Sequence, residues 1–165
     1  MKWLYKLLRI EPPVRMKPEK FPKWEVSNCN DLYKFLRTVV DIIPDGSTFC
    51  FDGICPDYDD IKVFLEERKA TEPSEEMKEK YHWQDKYCRY ILFDKKNAYD
   101  LAEIMEHHAK PELADHIHIY KENIILLQWH HIIDDPLYID IVIDEIKIKK
   151  FCEKMSLEYK YVLED

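Results

Sequence analysis

The sequence predicts an α+β fold: a single domain with a mainly antiparallel sheet, helices packed on one face, and an N-terminal arm. Three observations predict it. Apolar stripes at helical spacing alternate with short strand-like runs in the order helix, strand, helix, strand, helix, three strands, helix, strand. Two of the late strands join as a hairpin about Glu122-Asn123. In the third, Leu137, Ile139, Ile141 and Ile143 face one way and Tyr138, Asp140 and Val142 the other, the alternation of a half-buried antiparallel strand.

Each element has its own warrant. Trp3, Leu7 and Ile10 share one helical face and Lys2, Lys6 and Arg9 another, which makes a short amphipathic helix. Pro12, Pro13, Pro18 and Pro22 bar helix thereafter and predict an extended arm, so residues 1–26 are helix and arm and 27–165 the domain. Leu32, Phe35, Leu36, Val39, Val40 and Ile43 form a helical stripe, capped by Asn30 or Asp31 and stopped by Pro44. Pro44-Asp45-Gly46-Ser47 turns the chain into a strand at Ser47 to Asp52.

A second helix starts near Pro56 and Asp57 and carries Ile61, Phe64 and Leu65; it fades into a charged stretch from Glu66 to Lys80, read as exposed loop or solvated helix. Tyr87 to Phe93 is the next strand. Asn97 resembles an N-cap for a helix with Ala98, Leu101, Ile104, Met105 and His108 on its core side, ended by Pro111. The hairpin pairs His116 to Lys121 with Ile124 to His131. Asp134-Asp135-Pro136 leads into the alternating strand, and Asp144 caps a last helix carrying Ile148, Phe151, Cys152 and Met155 before a strand at Tyr159 to Leu163.

The 165 residues suffice for one compact domain that buries about 70% of its unfolded surface, with no need of a disulfide or metal staple. At 46% hydrophobic and 35% charged residues the chain reads as globular. Only two glycines occur, Gly46 and Gly53, which excludes a phosphate-binding P-loop, a dinucleotide fingerprint and a nucleophile elbow. No cofactor loop remains. Residues 1–26 hold seven basic and three acidic side chains, net +4, leaving 18 basic and 30 acidic, net −12. Such a body repels phosphate backbones and attracts a basic protein partner. No apolar run reaches the ~20 residues of a membrane span. The cysteines, Cys29, Cys50, Cys55, Cys88 and Cys152, form no C-x-x-C pair and suit reduced, buried thiols in a cytosol.

The histidines carry the sharpest chemical signal, since six of seven fall between His107 and His131. His116 and His118 alternate on a strand, so both leave one sheet face at a spacing that lets two imidazoles reach one metal. A two-residue turn sets His116 opposite Trp129 with His131 on the same face; a one-residue slip brings Gln128 and His130 there instead. The candidate metal ligands are His116, His118, His130 and Asp134, with Asp115, Asp135, Glu106 and Glu112 as further oxygen donors for a divalent ion such as zinc. The plainer reading places these imidazoles on a wet sheet face.

His108 extends an apolar stripe and fits a satisfied core or boundary histidine. Cys50 or Cys55 beside the Asp52-Gly53 turn could serve as a nucleophilic thiol, though packing explains both. Asp59-Asp60 and Asp134-Asp135 fit capping and turn roles better than acid–base pairs. The 11 tyrosines and four tryptophans suit an interaction surface as well as a core. No catalytic residue is assigned.

The run Leu101-Ala102-Glu103-Ile104-Met105-Glu106-His107-His108-Ala109, then Pro111 to Tyr120, then Gln128-Trp129-His130 with Asp134-Asp135-Pro136, resembles a family of small uncharacterised bacterial proteins. The likeness spans most of residues 30–155 and includes Pro44 to Gly53 and the Pro56-Asp57 helix start. It implies a bacterial, cytoplasmic protein and directs attention to His107 to Asp135.

The expectation is a non-enzymatic cytosolic protein-binding domain, immunity- or inhibitor-like, whose acidic surface engages a basic protein partner; a homodimer is compatible with it. The alternative is a metal-dependent hydrolase built on the His/Asp cluster between His107 and Asp135. A third reading is a membrane-surface adaptor using residues 1–10.

Overall fold

The computed structural model describes residues 21–53, 58–83, 87–108 and 113–164. The amphipathic helix expected at 1–10, most of the arm, and Cys55 lie outside the described residues. The described chain is an α+β domain with a seven-stranded, wholly antiparallel sheet and five α-helices.

The strands are β1 (Phe21–Val26), β2 (Ser47–Asp52), β3 (Arg89–Phe93), β4 (His116–Lys121), β5 (Ile124–Trp129), β6 (Leu137–Asp140) and β7 (Tyr159–Glu164). Their spatial order is β3-β2-β4-β5-β6-β1-β7. The helices are α1 (Leu32–Thr38), continued by a 3-10 turn at Val39–Asp41, then α2 (Asp59–Glu67), α3 (Glu75–Tyr81), α4 (Lys95–Glu106) and α5 (Glu145–Met155).

Strand alternation builds the main core. Phe49 and Phe51 of β2, Ile91 and Phe93 of β3, Ile117 and Ile119 of β4, and Leu137 and Ile139 of β6 all point to one face. There they meet Phe35 and Leu36 of α1, Leu101 of α4 and Phe151 of α5. Trp129 lies at the centre with its ring 4.9 Å from Phe35, and its indole N–H donates to the Asp135 carbonyl at 3.0 Å. Full burial of such aromatics is the largest apolar contribution a domain of this size has.

Helix starts follow side-chain chemistry. Asp31 accepts from the Lys34 N–H at 2.8 Å and Asp144 from the Ile146 N–H at 2.8 Å, both caps anticipated from sequence. For α4 the cap is Asp94, which accepts from the Asn97 N–H at 2.7 Å, three residues before the position expected. Asn97 itself is buried inside the first turn, where its amide donates to the Leu92 carbonyl at 3.0 Å. A short polar side chain can serve inside a turn as well as before it, and the local pattern does not separate the two.

Two further departures have clear causes. Residues 21–26, read from sequence as the end of the arm, are extended as expected but form β1 inside the sheet, between β6 and β7. Pro22 is tolerated because β6 pairs with β1 only from Lys23 onward, so no ladder donor is needed from Pro22 on that side. The stretch read as solvated between Glu66 and Lys80 contains α3, capped by Ser74, whose Met77 is buried. It packs against the sheet face opposite the other helices, in a second apolar cluster with Cys50, Trp83, Cys88, Tyr90, Tyr120 and Ile125. The rest of that face, from β5 to β7, carries Gln128, Tyr138, Asp140, Lys23, Glu25 and Lys160, with Phe21 and Val162 among them.

Candidate functional site

The hairpin β4–β5 decides where the histidines go. His118 pairs with Gln128 and Ile117 with Trp129, while beyond Ile119 the register shifts and Tyr120 pairs with Ile125. The extra residue is Leu126. It and Leu127 are both buried in the main core, whereas Ile125 belongs to the opposite cluster, the signature of a β-bulge in one strand. Of the two registers open to the sequence, the bulge selects the slipped one, so Gln128 shares the face of His116 and His118. His130 follows onto that face, with its ring 5.2 Å from both His116 and His118.

His131 joins from the turn. Its backbone takes a left-handed φ of 41°, its ring stands 4.8 Å from His116, and its N–H donates to Nδ1 of His116 at 3.1 Å. Asp134, the remaining candidate ligand, sits in the following turn, where its carbonyl accepts from the Asn28 amide at 2.7 Å.

His118 is 2% exposed, and among the described residues its Nδ1 has no hydrogen-bond partner. Burial, reinforced by the neighbouring His130, His116 and Lys23, pushes its pKa from 6.5 down to about 3. The ring is therefore neutral at physiological pH. It packs beside Trp83, centroids 5.2 Å apart. Lys23 of β1 reaches the same face, donating to the Gln128 side-chain carbonyl and lying 5.9 Å over the Tyr138 ring.

A neutral imidazole binds metal through its unprotonated nitrogen. In His116 that lone pair on Nδ1 already accepts the His131 N–H, which assigns the hydrogen to Nε2. Three imidazoles converge, but among the described residues no group of three or more His, Cys, Asp or Glu side chains is arranged to hold a metal ion.

The same face continues into a pair of thiols. Cys50 stands opposite His118 across β2–β4, and Asp52 opposite His116. The Cys88 thiol donates to the Asp52 carboxylate at 3.5 Å. Burial pushes the Cys50 thiol strongly up, and a hydrogen bond from Cys50 to Cys88 draws Cys88 down. Cys50, named from sequence as a possible nucleophile, is thus held as a protonated, fully buried thiol, which is the packing role. Cys88 was not singled out, although its alternation with Tyr90 places it on this face.

A second region has the shape of a binding site. Between α2 and α4 lies a cleft of about 670 Å³ whose walls carry five carboxylates, Asp59, Asp60, Glu67, Asp100 and Glu103. Its floor is apolar, made of Val63, Phe64 and Ile104, with Val63 55% exposed. Arg68 is the one arginine or lysine in the lining, and it meets Glu67 at 3.1 Å, while Lys62 reaches Asp59 at 3.6 Å from outside. The Arg68 guanidinium lies 4.2 Å over the Phe64 ring, 3.4 Å from Asp100, and its Nε donates to Asn97 at 3.1 Å. Hydrogen bonding by Lys96, with Arg68 also nearby, holds Asp100 below the usual carboxylate range.

At the cleft mouth His108 meets Asp60 at 3.0 Å and stacks on Tyr58, centroids 3.9 Å apart. Some burial raises the Asp60 carboxyl, but the hydrogen bonds from His108 and the Ile61 N–H outweigh it and leave the pKa lowered. His108 is the satisfied boundary histidine expected from sequence, whereas Asp60, expected to cap, lies inside the first turn of α2, whose N-cap is Tyr58 with no side-chain hydrogen bond, and accepts instead from the adjacent Ile61 N–H at 2.8 Å.

No protein-family model, curated protein or solved structure matches this chain.

The histidine face and the cleft differ in what each can bind. The histidine face is closed at one end by α3 and Trp83 and holds a neutral His118 ring and the protonated thiol of Cys50. The cleft is open, strongly acidic and lined below by carbon. Sequence gave no sign of it, because Asp59 to Arg68 and Asp100 to His107 lie on separate helices and only the packing of α2 beside α4 joins them. No described helix is long and apolar enough to cross a membrane.

Proposed function

We propose that this chain is a non-enzymatic cytosolic protein-binding domain that takes a basic, amphipathic segment of a partner protein into the cleft between α2 and α4. The observation that carries this reading is the pairing of an apolar floor with five carboxylates against a single arginine in that cleft. Apolar burial supplies affinity, and the carboxylate rim steers and orients a cationic partner. The net −12 carried by residues 27–165 extends the same field over the domain. An immunity- or inhibitor-like role against a cationic protein fits this chemistry.

Calorimetric titration with a synthetic helical peptide, leucines on one face and lysines on the other, tests the reading. Saturable one-to-one binding, weakened about tenfold or more by Glu67→Lys with Glu103→Lys, is expected. Absence of binding, or binding that ignores the charge reversal, refutes it.

The convergence of His116, His118 and His130 favours a second reading, metal-dependent hydrolysis, in which a divalent ion such as zinc activates water. The engaged Nδ1 of His116 stands against it. Elemental analysis of protein purified without chelator decides: near-stoichiometric metal, lost in a His116→Ala, His118→Ala variant, would put this reading ahead.

A further inference from the structure

Cys88 stands just before β3, and its surroundings differ from those of Cys29 and Cys152. It lines a cavity of about 110 Å³ between the start of β3 and the segment that carries Lys69 and Glu72. That volume holds a few molecules the size of water or hydrogen peroxide, and nothing the size of a peptide. Cys29 and Cys152 are buried as deeply, and burial pushes both of their thiols up.

Two contacts act on the Cys88 sulfur. Its thiol donates to the Asp52 carboxylate at 3.5 Å, which gives the proton somewhere to go. Cys50, paired with Tyr90 across β2–β3, is the diagonal neighbour of Cys88 in the same cluster and donates its own thiol hydrogen to it. That donation outweighs burial and the Asp52 charge and holds Cys88 below its ordinary value, which favours the thiolate, the form that reacts with oxidants. We propose that Cys88 and Cys50 are a peroxide-responsive thiol pair: hydrogen peroxide entering the cavity oxidises Cys88, and Cys50 then closes a reversible disulfide on it. The pair is separate from the cleft between α2 and α4 and adds a redox response whatever the cleft binds.

The chemistry balances without any further reactant. The Cys88 proton passes to Asp52 as the sulfur attacks one oxygen of hydrogen peroxide. The O–O bond breaks, Cys88 becomes a sulfenic acid, and the departing hydroxide takes the Asp52 proton and leaves as water. Oxidation of Cys88 also removes the negative neighbour that helps hold the proton on Cys50. The Cys50 sulfur then displaces hydroxide from the Cys88 sulfur, and the Cys50 proton leaves with it as a second water. Two thiols have lost two electrons, and one peroxide has become two waters. A bridge between diagonal neighbours on adjacent strands is strained, so a dithiol reductant reopens it.

Timed exposure of the full chain to hydrogen peroxide, followed by alkylation and peptide mapping by mass spectrometry, tests the proposal, with circular dichroism as the check on folding. In the wild-type chain Cys50 and Cys88 are expected to disappear together, about tenfold faster than Cys29 and Cys152, as a Cys50–Cys88 cross-link that dithiothreitol reverses. In Cys50→Ser, or in Cys50→Ala should the serine misfold, dimedone is expected to trap Cys88 as its sulfenic acid. Loss of all the buried thiols at one rate overturns the proposal. So does a cross-link from Cys88 to Cys55 in place of Cys50, or a Cys88 that runs on to sulfinic acid in the wild-type chain with no disulfide formed.

Discussion

His118 stands opposite Gln128 in the β4–β5 ladder because Leu126 is an extra residue in β5. One bulge therefore assigns His130 to the face of His116 and His118, and keeps Leu127 and Trp129 in the core. Deleting Leu126 makes Ile125 and Leu127 neighbours on successive faces, so the pairs His118–Gln128 and Ile117–Trp129 and the histidine face are kept while one buried leucine is lost. The expected outcome in circular dichroism is an unfolding transition that stays cooperative, with stability lowered by about 2 kcal/mol.

The neutral state of His118 makes stability depend on pH. Its native pKa of about 3 lies below the ordinary value of 6.5, so between these limits the unfolded chain binds a proton that the native chain refuses. Stability is full above pH 6.5 and falls as pH drops, by about 2 kcal/mol at pH 5 from this group. Urea unfolding across that range should show the slope, and His118→Phe should flatten it.

Gly53 is held at φ +74°, and a Cβ there would lie 2.6 Å from the Asp115 carboxylate and 2.9 Å from the Asp115 Cβ. Strain and crowding act together, so Gly53→Ala is expected to lower stability by about 2 kcal/mol. Gly46, at a similar φ, meets only the Lys121 ammonium at 4.0 Å. Gly46→Ala should therefore be the milder of the two in thermal unfolding.

Val63 separates apolar docking from charge attraction in the cleft. Being half exposed, it contributes little to the folded core, and Val63→Ser should leave stability within about 0.5 kcal/mol of wild type. The same change should weaken the leucine–lysine probe several-fold in calorimetry, by loss of buried carbon. An unchanged affinity would mean that the carboxylates act alone.

Trp129 combines volume with a hydrogen bond. Trp129→Ala is expected to lower stability by about 4 kcal/mol through the cavity beside Phe35. Trp129→Phe keeps most of the packing but leaves the Asp135 carbonyl without its donor, and about 1–2 kcal/mol is expected. Chemical denaturation of the two variants gives both values.

Much of the fold was legible because its signals are local. The stripe from Leu32 to Ile43, the strand at Ser47 to Asp52 and the cap at Asp144 each rest on neighbours within one or two turns of chain. What escaped depends on distant partners. Pro22 argues against a strand until β6 is seen to stop at Lys23, and Met77 sits in a charged run until Trp83 and Tyr90 are seen across from it. The histidine face was half legible: alternation placed His116 and His118 together, but choosing His130 required the bulge, and no residue type announces one. The cleft was not legible at all, since its acidic walls are some forty residues apart in the chain and each wall alone looks like a solvated helix face.

Arg68 joins the cleft to the edge of the sheet, where residues Arg68 to Ala70 run as a strap along β3. Its carbonyl holds the strap along β3, while its side chain braces Phe64, Asn97 and Asp100 in the cleft. A partner that pulls this guanidinium out of place also tugs on the cover of the sheet edge. Occupancy of the cleft and protection of β3 from stray strand pairing are thereby geared to a single residue, and a lesion at Arg68 should appear as aggregation before it appears as lost binding.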